Sequence, residues 1–81
     1  MTAEPSAAFA ESGDSEHSYL QQLGARVRDA RTRLGLSRKA LAAKSSVSER
    51  YLAQLESGQG NISILLLRQV ASALETPLTE L

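Results

Sequence analysis

Apolar residues recur at helical spacing from residue 19 onwards, and no segment alternates as a half-buried strand would. Steps of three and four residues place side chains on one face of a helix, where they can pack together. The pattern therefore predicts an all-α fold, a compact bundle of five short helices. The stripe of the first helix consists of Leu20, Leu23, Val27, Ala30 and Leu34.

Capping and breaking residues set the predicted helix limits. Gly35 ends the first helix, because glycine accepts the left-handed backbone conformation without steric cost. Ser37 and Ser48 cap the next two helices, since a serine oxygen can accept an unpaired amide at a helix start. These helices span about 38–45 and 48–56.

The last third of the chain contains two further predicted helices. Asn61 is expected to cap a helix that runs to Leu74. Its core stripe consists of Ile64, Leu67, Val70, Ala71 and Leu74. Thr76 is then expected to cap a final helical turn that ends at Leu81, with Pro77 at the first helical position.

The charge is divided unevenly although the whole chain is neutral. Residues 1–18 have four acidic and no basic residues, and we predict that they form a disordered acidic leader. Residues 19–81 have nine basic and five acidic residues, a net charge of +4, and form the predicted folded domain. A basic body fits a polyanionic partner, although arginines on small helices also serve simply to solvate a surface.

Composition argues against an enzyme. The chain has 81 residues, no cysteine and a single histidine, His17, which excludes cysteine nucleophiles and leaves no basis for a histidine metal cluster. Gly58-Gln59-Gly60 is no nucleotide loop, because no strand precedes it. We expect no metal and no cofactor. No membrane span or secretory signal is evident, so the expected location is the cytoplasm.

The second and third helices are joined by a turn of three to four residues. This is the helix-turn-helix arrangement, in which the second helix is presented to the major groove of DNA. Short motifs strengthen the prediction, and their order resembles the lambda-repressor-like domains of the xenobiotic-response-element family over about 60 residues. The motifs are Leu34-Gly35-Leu36-Ser37, Leu41-Ala42, Val47-Ser48, Leu55-Glu56-Ser57-Gly58 and Val70-Ala71-Ser72-Ala73-Leu74.

The segment Glu49–Ser63 is similar to one subgroup, the DNA-binding half of BoxR-type regulators that respond to benzoyl-CoA. In that subgroup a shikimate-kinase-like effector domain follows the helix-turn-helix. No such domain follows Leu81, so we expect a truncated or free-standing relative that does not itself bind benzoyl-CoA. The resemblance implies the operator-recognition domain of a bacterial transcription regulator, a repressor or an activator, which is expected to bind double-stranded DNA as a homodimer.

The resemblance also places Glu49, Arg50 and Gln54 at positions that contact bases. Their chemistry agrees, because arginine can donate two hydrogen bonds to guanine, glutamine can pair with adenine, and glutamate can accept from cytosine. Glu49 has an equally good explanation without DNA, because a carboxylate in the first turn interacts favourably with the helix dipole. Phosphate contacts are predicted for Arg38, Lys39, Ser48 and Asn61, with Arg28 as the weakest candidate.

Two other groups have implied structural roles. Arg31 and Glu56 match an ion pair of relatives that ties the first helix to the end of the recognition helix, so neither is predicted to contact DNA. Ser46 stands where the family usually has glycine in the turn, and a positive φ there would be mildly strained.

A second apolar face is predicted on the fourth helix. Ile62, Leu65 and Leu66 lie apart from the core stripe and form either a contact surface for a dimer mate or missing domain, or a face that the final helix covers. This face supports an alternative function, a protein-interaction module of the antitoxin or adaptor type.

Overall fold

The structure, a computed structural model, describes the chain from residue 12 to residue 81, with side chains from residue 16. It contains four α-helices and no strand within this range, which confirms the all-α prediction. The predicted fifth helix is a single 3₁₀ turn. The elements are α1 (Ser12–Arg33), α2 (Arg38–Ser45), α3 (Glu49–Glu56), α4 (Ile64–Ala73) and the 3₁₀ turn (Leu78–Glu80).

Serine side chains begin the two central helices as predicted. The Ser37 hydroxyl accepts a hydrogen bond from the Ala40 amide at 3.0 Å, and the Ser48 hydroxyl accepts one from the Tyr51 amide at 2.9 Å. Each bond satisfies an amide that has no partner within its helix. Gly35 has a φ of 72° after the end of α1, so its predicted role as a helix stop is also confirmed.

Helix α4 differs from the prediction at its start. Its N-cap is Ser63, whose hydroxyl accepts from the Leu66 amide at 3.4 Å, and not Asn61. The prediction of Ile64 as a core residue is also wrong, because Ile64 is 59% exposed in the first turn of the shorter helix. The reason is local: two residues, Asn61 and Ser63, could each cap this helix, and spacing alone did not distinguish them.

Two smaller expectations are also corrected. Leu34 was placed on the core stripe of the first helix, but α1 ends at Arg33 and Leu34 is exposed in the following turn. Thr76 does not cap the final turn, since its hydroxyl donates to the carbonyl oxygen of Leu74 at 3.1 Å. Pro77 precedes that 3₁₀ turn instead, and no side chain caps it.

Helix α1 begins at Ser12, seven residues before the predicted start at Tyr19. The extension has exposed side chains at residues 16–19, so it leaves no apolar stripe that periodicity could detect. The predicted leader therefore overlaps α1 at residues 12–18, and its first eleven residues lie outside the described range. The division of the chain at residue 18 stays a prediction.

The core holds α3 between its neighbours. Helix α1 packs on α3, α2 packs on both α3 and α4, and the 3₁₀ turn packs on α4. At least one fully buried residue comes from every helix, so α3 is fixed from several sides. The largest fully buried side chains are Leu23, Val27, Leu41, Leu52, Leu55 and Val70.

None of the helices between residues 12 and 81 combines the length and apolar character that a membrane span requires.

Candidate nucleic-acid interface

The turn between α2 and α3 sets the direction of α3. Ser46 has a φ of 62° and a ψ of 30°, so the expected positive φ is present. The amides of Ser46 and Val47 both donate to the carbonyl oxygen of Ala42, the latter at 3.2 Å. The Val47 side chain is buried in the core. Hydrogen bonds and packing thus fix the turn that presents α3.

Helix α3 has one buried and one exposed face. Leu52 and Leu55 point into the core. The three residues predicted to contact bases, Glu49, Arg50 and Gln54, are all exposed. Positions 50 and 54 are four residues apart and therefore neighbours on one side of the helix. Both side chains therefore lie on the exposed side of the helix, and Glu49 is in its first turn.

A glycine beside Gln54 leaves room for that side chain. Gly60 has a φ of 80°, and a Cβ atom at Gly60 would lie 3.0 Å from Oε1 of Gln54. The Gln54 side chain therefore passes close to the loop between α3 and α4. Sequence reasoning did not predict this approach, because it depends on how the loop folds back.

A buried carboxylate joins three helices beneath this surface. The Glu56 side chain is 1% exposed and accepts from Nε of Arg31 at 2.7 Å and from Nη2 of Arg31 at 3.1 Å. Nε of Arg38 donates to Oε1 of Glu56 at 3.0 Å. Burial alone would raise the pKa of Glu56, but the hydrogen bonds and charges of Arg31 and Arg38 outweigh it and lower the pKa below its usual value.

Arg31 is fully engaged within the fold. Besides the two bonds to Glu56, its Nη1 donates to the carbonyl oxygen of Leu36 at 2.8 Å. Its side chain is 11% exposed, and its hydrogen bond to Glu56 raises its pKa despite the cost of burial. Arg38 has a second role that was not foreseen. The sequence predicts only a phosphate contact for Arg38, whereas in the structure its side chain also forms a hydrogen bond with Glu56.

The other predicted phosphate contacts are exposed but not equivalent. Lys39 lies in the first turn of α2, and Asn61 lies in the loop before α4. The hydroxyl of Ser48 already accepts the Tyr51 amide, although it keeps a proton to donate. Arg28 is exposed on α1, a helix that packs behind α3.

The Tyr51 side chain anchors the inner side of α3. Its hydroxyl oxygen is buried and has no hydrogen-bond partner among the described residues. Burial raises the pKa of this phenol, and the backbone of Ser63, which is near the oxygen but outside hydrogen-bonding geometry, lowers it by a smaller amount. A buried hydroxyl without a partner costs free energy. Tyr51 is therefore a packing residue whose polar end is poorly accommodated.

The predicted apolar face on α4 is arranged differently from the expectation. Ile62 and Leu66 are half-buried against the core, whereas Leu65 is 66% exposed. The exposed pair is therefore Ile64 and Leu65. The final turn does not cover Leu65. A groove between α2 and α4 runs beside it and is lined by Lys44, Ser46, Leu65, Arg68, Gln69 and Ser72.

Solved structures of transcription regulators match this arrangement. The chain is 35% identical to the restriction-modification controller protein C.AhdI from Aeromonas hydrophila, with a TM-score of 0.75 over 78% of this chain and 96% of that one. It is 37% identical to the clp gene regulator ClgR from C. glutamicum, with a TM-score of 0.68 over 74% of this chain and 78% of ClgR.

A third match is an HTH_3 family transcriptional regulator from Vibrio cholerae, at 30% identity and a TM-score of 0.74 over 79% of this chain. The chain spans only 36% of that regulator's length. No curated protein matches the chain. The model of the helix-turn-helix family HTH_3 matches residues 27–81, well over half of the chain. The chain therefore belongs to the HTH_3 family of helix-turn-helix proteins, the lambda-repressor-like, xenobiotic-response-element type.

Proposed function

We propose that this domain recognises double-stranded DNA as the operator-binding part of a transcription regulator, with α3 in the major groove. The observation that carries the proposal is the exposed pair Arg50 and Gln54 on the face of α3 opposite its buried leucines. The turn at Ser46 presents that face rigidly, as a recognition helix requires. The structural neighbours C.AhdI, a restriction-modification controller protein, and ClgR, a clp gene regulator, support the role.

The chemistry of the three residues assigns them different bases. Arg50 would donate two hydrogen bonds to a guanine, and Gln54 would pair with the edge of an adenine. Glu49 would accept from a cytosine amino group and repel phosphates, which makes it a residue of discrimination rather than of affinity. Three side chains read only a few base pairs, so a single copy has limited specificity.

Contacts to the backbone would supply most of the affinity. Arg38 and Lys39 lie in the first turn of α2, Ser48 caps the start of α3, and Asn61 lies in the loop between α3 and α4. These positions match a helix-turn-helix that grips the phosphates on either side of the groove. The net charge of +4 over residues 19–81 favours the same partner.

A homodimer on two half-sites about one helical turn apart would give the missing specificity. The exposed pair Ile64 and Leu65 supports such an interface. We also propose that a BoxR-type effector domain belongs to the full regulator. This domain, instead of a dimer mate, would then cover Ile64 and Leu65. Either arrangement would leave α3 free for DNA.

The test is fluorescence anisotropy against a library of short duplexes at two salt concentrations. Arg50→Ala and Gln54→Ala should each lose the preference for one duplex class while keeping weak, salt-dependent binding. Arg33→Ala and Gln22→Ala are matched controls, because both residues are exposed on α1. They should keep the sequence preference even where the lost charge weakens binding. Equal preference in all four variants would refute base reading by α3.

A protein-interaction module is the second candidate, favoured by the two exposed aliphatic residues of α4. In that case the parent would show no preference among duplexes. Leu65→Gln would then abolish capture of the protein partner, whereas Arg50→Ala would have no effect on it.

A further inference from the structure

The contact between Glu56 and Arg38 carries an inference that rests on the proposed DNA-binding function. We infer that Glu56 is a positioning residue, and that the Arg38 guanidinium joins two anions at once. Its Nε stays on the buried carboxylate of Glu56 while its terminal nitrogens bind a DNA phosphate. A lysine has all its donors on one rotatable ammonium group and lacks the planar fork, so a bond to Glu56 would not hold a second donor in a fixed direction towards a phosphate.

The single negative charge of Glu56 has two arginine partners, Arg31 and Arg38. Glu56 already receives two hydrogen bonds from Arg31, one on each oxygen. The third nitrogen of Arg31, Nη1, donates to the carbonyl oxygen of Leu36, and the side chain is almost wholly buried. Arg31 therefore neutralises Glu56 inside the fold. With two positive charges and one negative charge, the three side chains together keep one net positive charge, and Arg38 is the more exposed of the two arginines.

The end of Arg38 that would meet DNA is the exposed one. Only Nε contacts Glu56, and Nη1 and Nη2 have no hydrogen-bond partner among the described residues. The side chain is 46% exposed, in contrast to the 11% of Arg31. A guanidinium is planar, so a bond at Nε fixes the directions of the other nitrogens as well. The donors are thus oriented before any ligand arrives.

Orientation in advance favours binding. An arginine that is already held by a buried partner loses less conformational freedom when it contacts a phosphate than a free surface lysine does. The contact also joins the first residue of α2 to the last residue of α3. Both helices of the helix-turn-helix are therefore tied to the side chain that would touch the backbone.

The experiment compares Arg38→Lys and Arg38→Met with the parent chain by anisotropy over a series of salt concentrations. Arg33→Lys and Arg33→Met are the matched controls, because Arg33 is exposed on α1, makes no hydrogen bond or ion pair among the described residues and is not a predicted phosphate contact. Arg38→Met should bind about tenfold more weakly, as expected for one lost charge-assisted hydrogen bond. Its log-log salt slope should fall by about 0.9.

The decisive variant is Arg38→Lys. It should lose nearly as much affinity as Arg38→Met although it keeps the charge, whereas Arg33→Lys should bind like the parent. If Arg38→Lys binds like the parent, Arg38 acts as a simple point charge and the inference is overturned. If Arg38→Met binds like the parent with the same slope, Arg38 makes no phosphate contact and the inference is overturned too. A parent chain that binds no duplex would overturn the proposed function as well.

A second measurement does not require a variant to fold. The Nε–H proton of Arg38 should give a protected NMR signal in the free protein, because it donates to a buried carboxylate. The signal should persist in the complex with DNA. Its loss on binding would show that Arg38 leaves Glu56 to reach the phosphate, which contradicts a bridging role.

Discussion

The main chain of Gly24 in α1 lies directly against the carbonyl oxygen of Glu56 at the end of α3. A Cβ atom at Gly24 would lie 2.7 Å from that oxygen and would also collide with the carbonyl oxygen of Leu55. Both partners are backbone atoms, which cannot move aside as a flexible side chain could. Helix α1 therefore crosses the end of α3 at a distance that only glycine permits.

Gly24→Ala should accordingly destabilise the fold although alanine is the better helix former. We expect a loss of about 1–3 kcal/mol in the free energy of unfolding, the usual cost of overpacking. Urea denaturation measures it. Ala25→Gly, at the exposed neighbouring position, is the control and should cost about 1 kcal/mol through helix propensity alone. A more stable Gly24→Ala variant would show that the two helices do not meet as described.

The sequence predicts the features of this fold that depend on neighbouring residues. The stripe of α1 and the serine caps of α2 and α3 are set by spacing and by hydrogen bonds across three residues. These features were sufficient for the helix-turn-helix and for the exposed positions of Arg50 and Gln54. The positive φ of Ser46 was suggested by the resemblance instead, because the family usually has glycine at that place in the turn.

Features that depend on the distance between helices could not be predicted in the same way. The approach of Gly24 to Glu56 and the bond from Arg38 to Glu56 join residues 32 and 18 positions apart. Sequence spacing contains no information on the angles at which helices cross. The exposure of Ile64 could not be predicted for a related reason. With Asn61 instead of Ser63 as the N-cap of α4, Ile64 falls in the part of the helix that is expected to pack.

Ser46→Gly should stabilise the protein. The residue has a φ of 62°, which costs a serine free energy but suits glycine. We expect a gain of about 1 kcal/mol or less, because glycine also gives the unfolded chain more freedom. Thermal unfolding followed by circular dichroism measures the change. Ser57→Gly is the control, since Ser57 ends the next helix with a φ of −92° and should not gain. A lower melting temperature for Ser46→Gly would count against the turn geometry.

Tyr51→Phe should preserve or increase stability. The substitution removes a buried hydroxyl oxygen without a hydrogen-bond partner and keeps the ring that packs against the core. The gain is expected to be about 1 kcal/mol, the lower end of the cost of burying an unpaired polar group. Chemical denaturation measures it, and Tyr19→Phe at an exposed position should change nothing. A loss above about 1 kcal/mol in Tyr51→Phe would reveal a hydrogen bond to this hydroxyl.

The stability of the fold should depend on pH through Glu56. Its pKa is lowered in the folded protein, so its contribution is fully present above the ordinary glutamate pKa of about 4.3. The contribution is lost as the pH falls through the lower, folded-state value. Glu56→Gln should cost about 3 kcal/mol at pH 7, because it leaves Arg31 buried without its charge partner.

Denaturant unfolding at a series of pH values from 7 down to 3 tests this prediction. The difference in stability between the parent and Glu56→Gln should shrink as the carboxylate of the parent is protonated. Glu80→Gln, at an exposed position in the final turn, is the control and should show no comparable change. A difference that is constant over the whole range would mean that the cost of Glu56→Gln arises from packing and not from charge.

The exposed aliphatic pair on α4 should determine the oligomeric state and leave the folded monomer unaffected. Leu65 is 66% exposed and Leu67 is buried, although the two are close in sequence. Leu65→Gln should change the free energy of unfolding by less than about 0.5 kcal/mol, as for other surface substitutions. It should also weaken self-association in sedimentation experiments, because it removes apolar surface that a dimer would bury. Gln69→Ala, in the same groove, is the control for a general effect of changing that surface. Self-association of the Leu65→Gln variant at the parent's strength would place the dimer interface elsewhere and leave this face to a different partner.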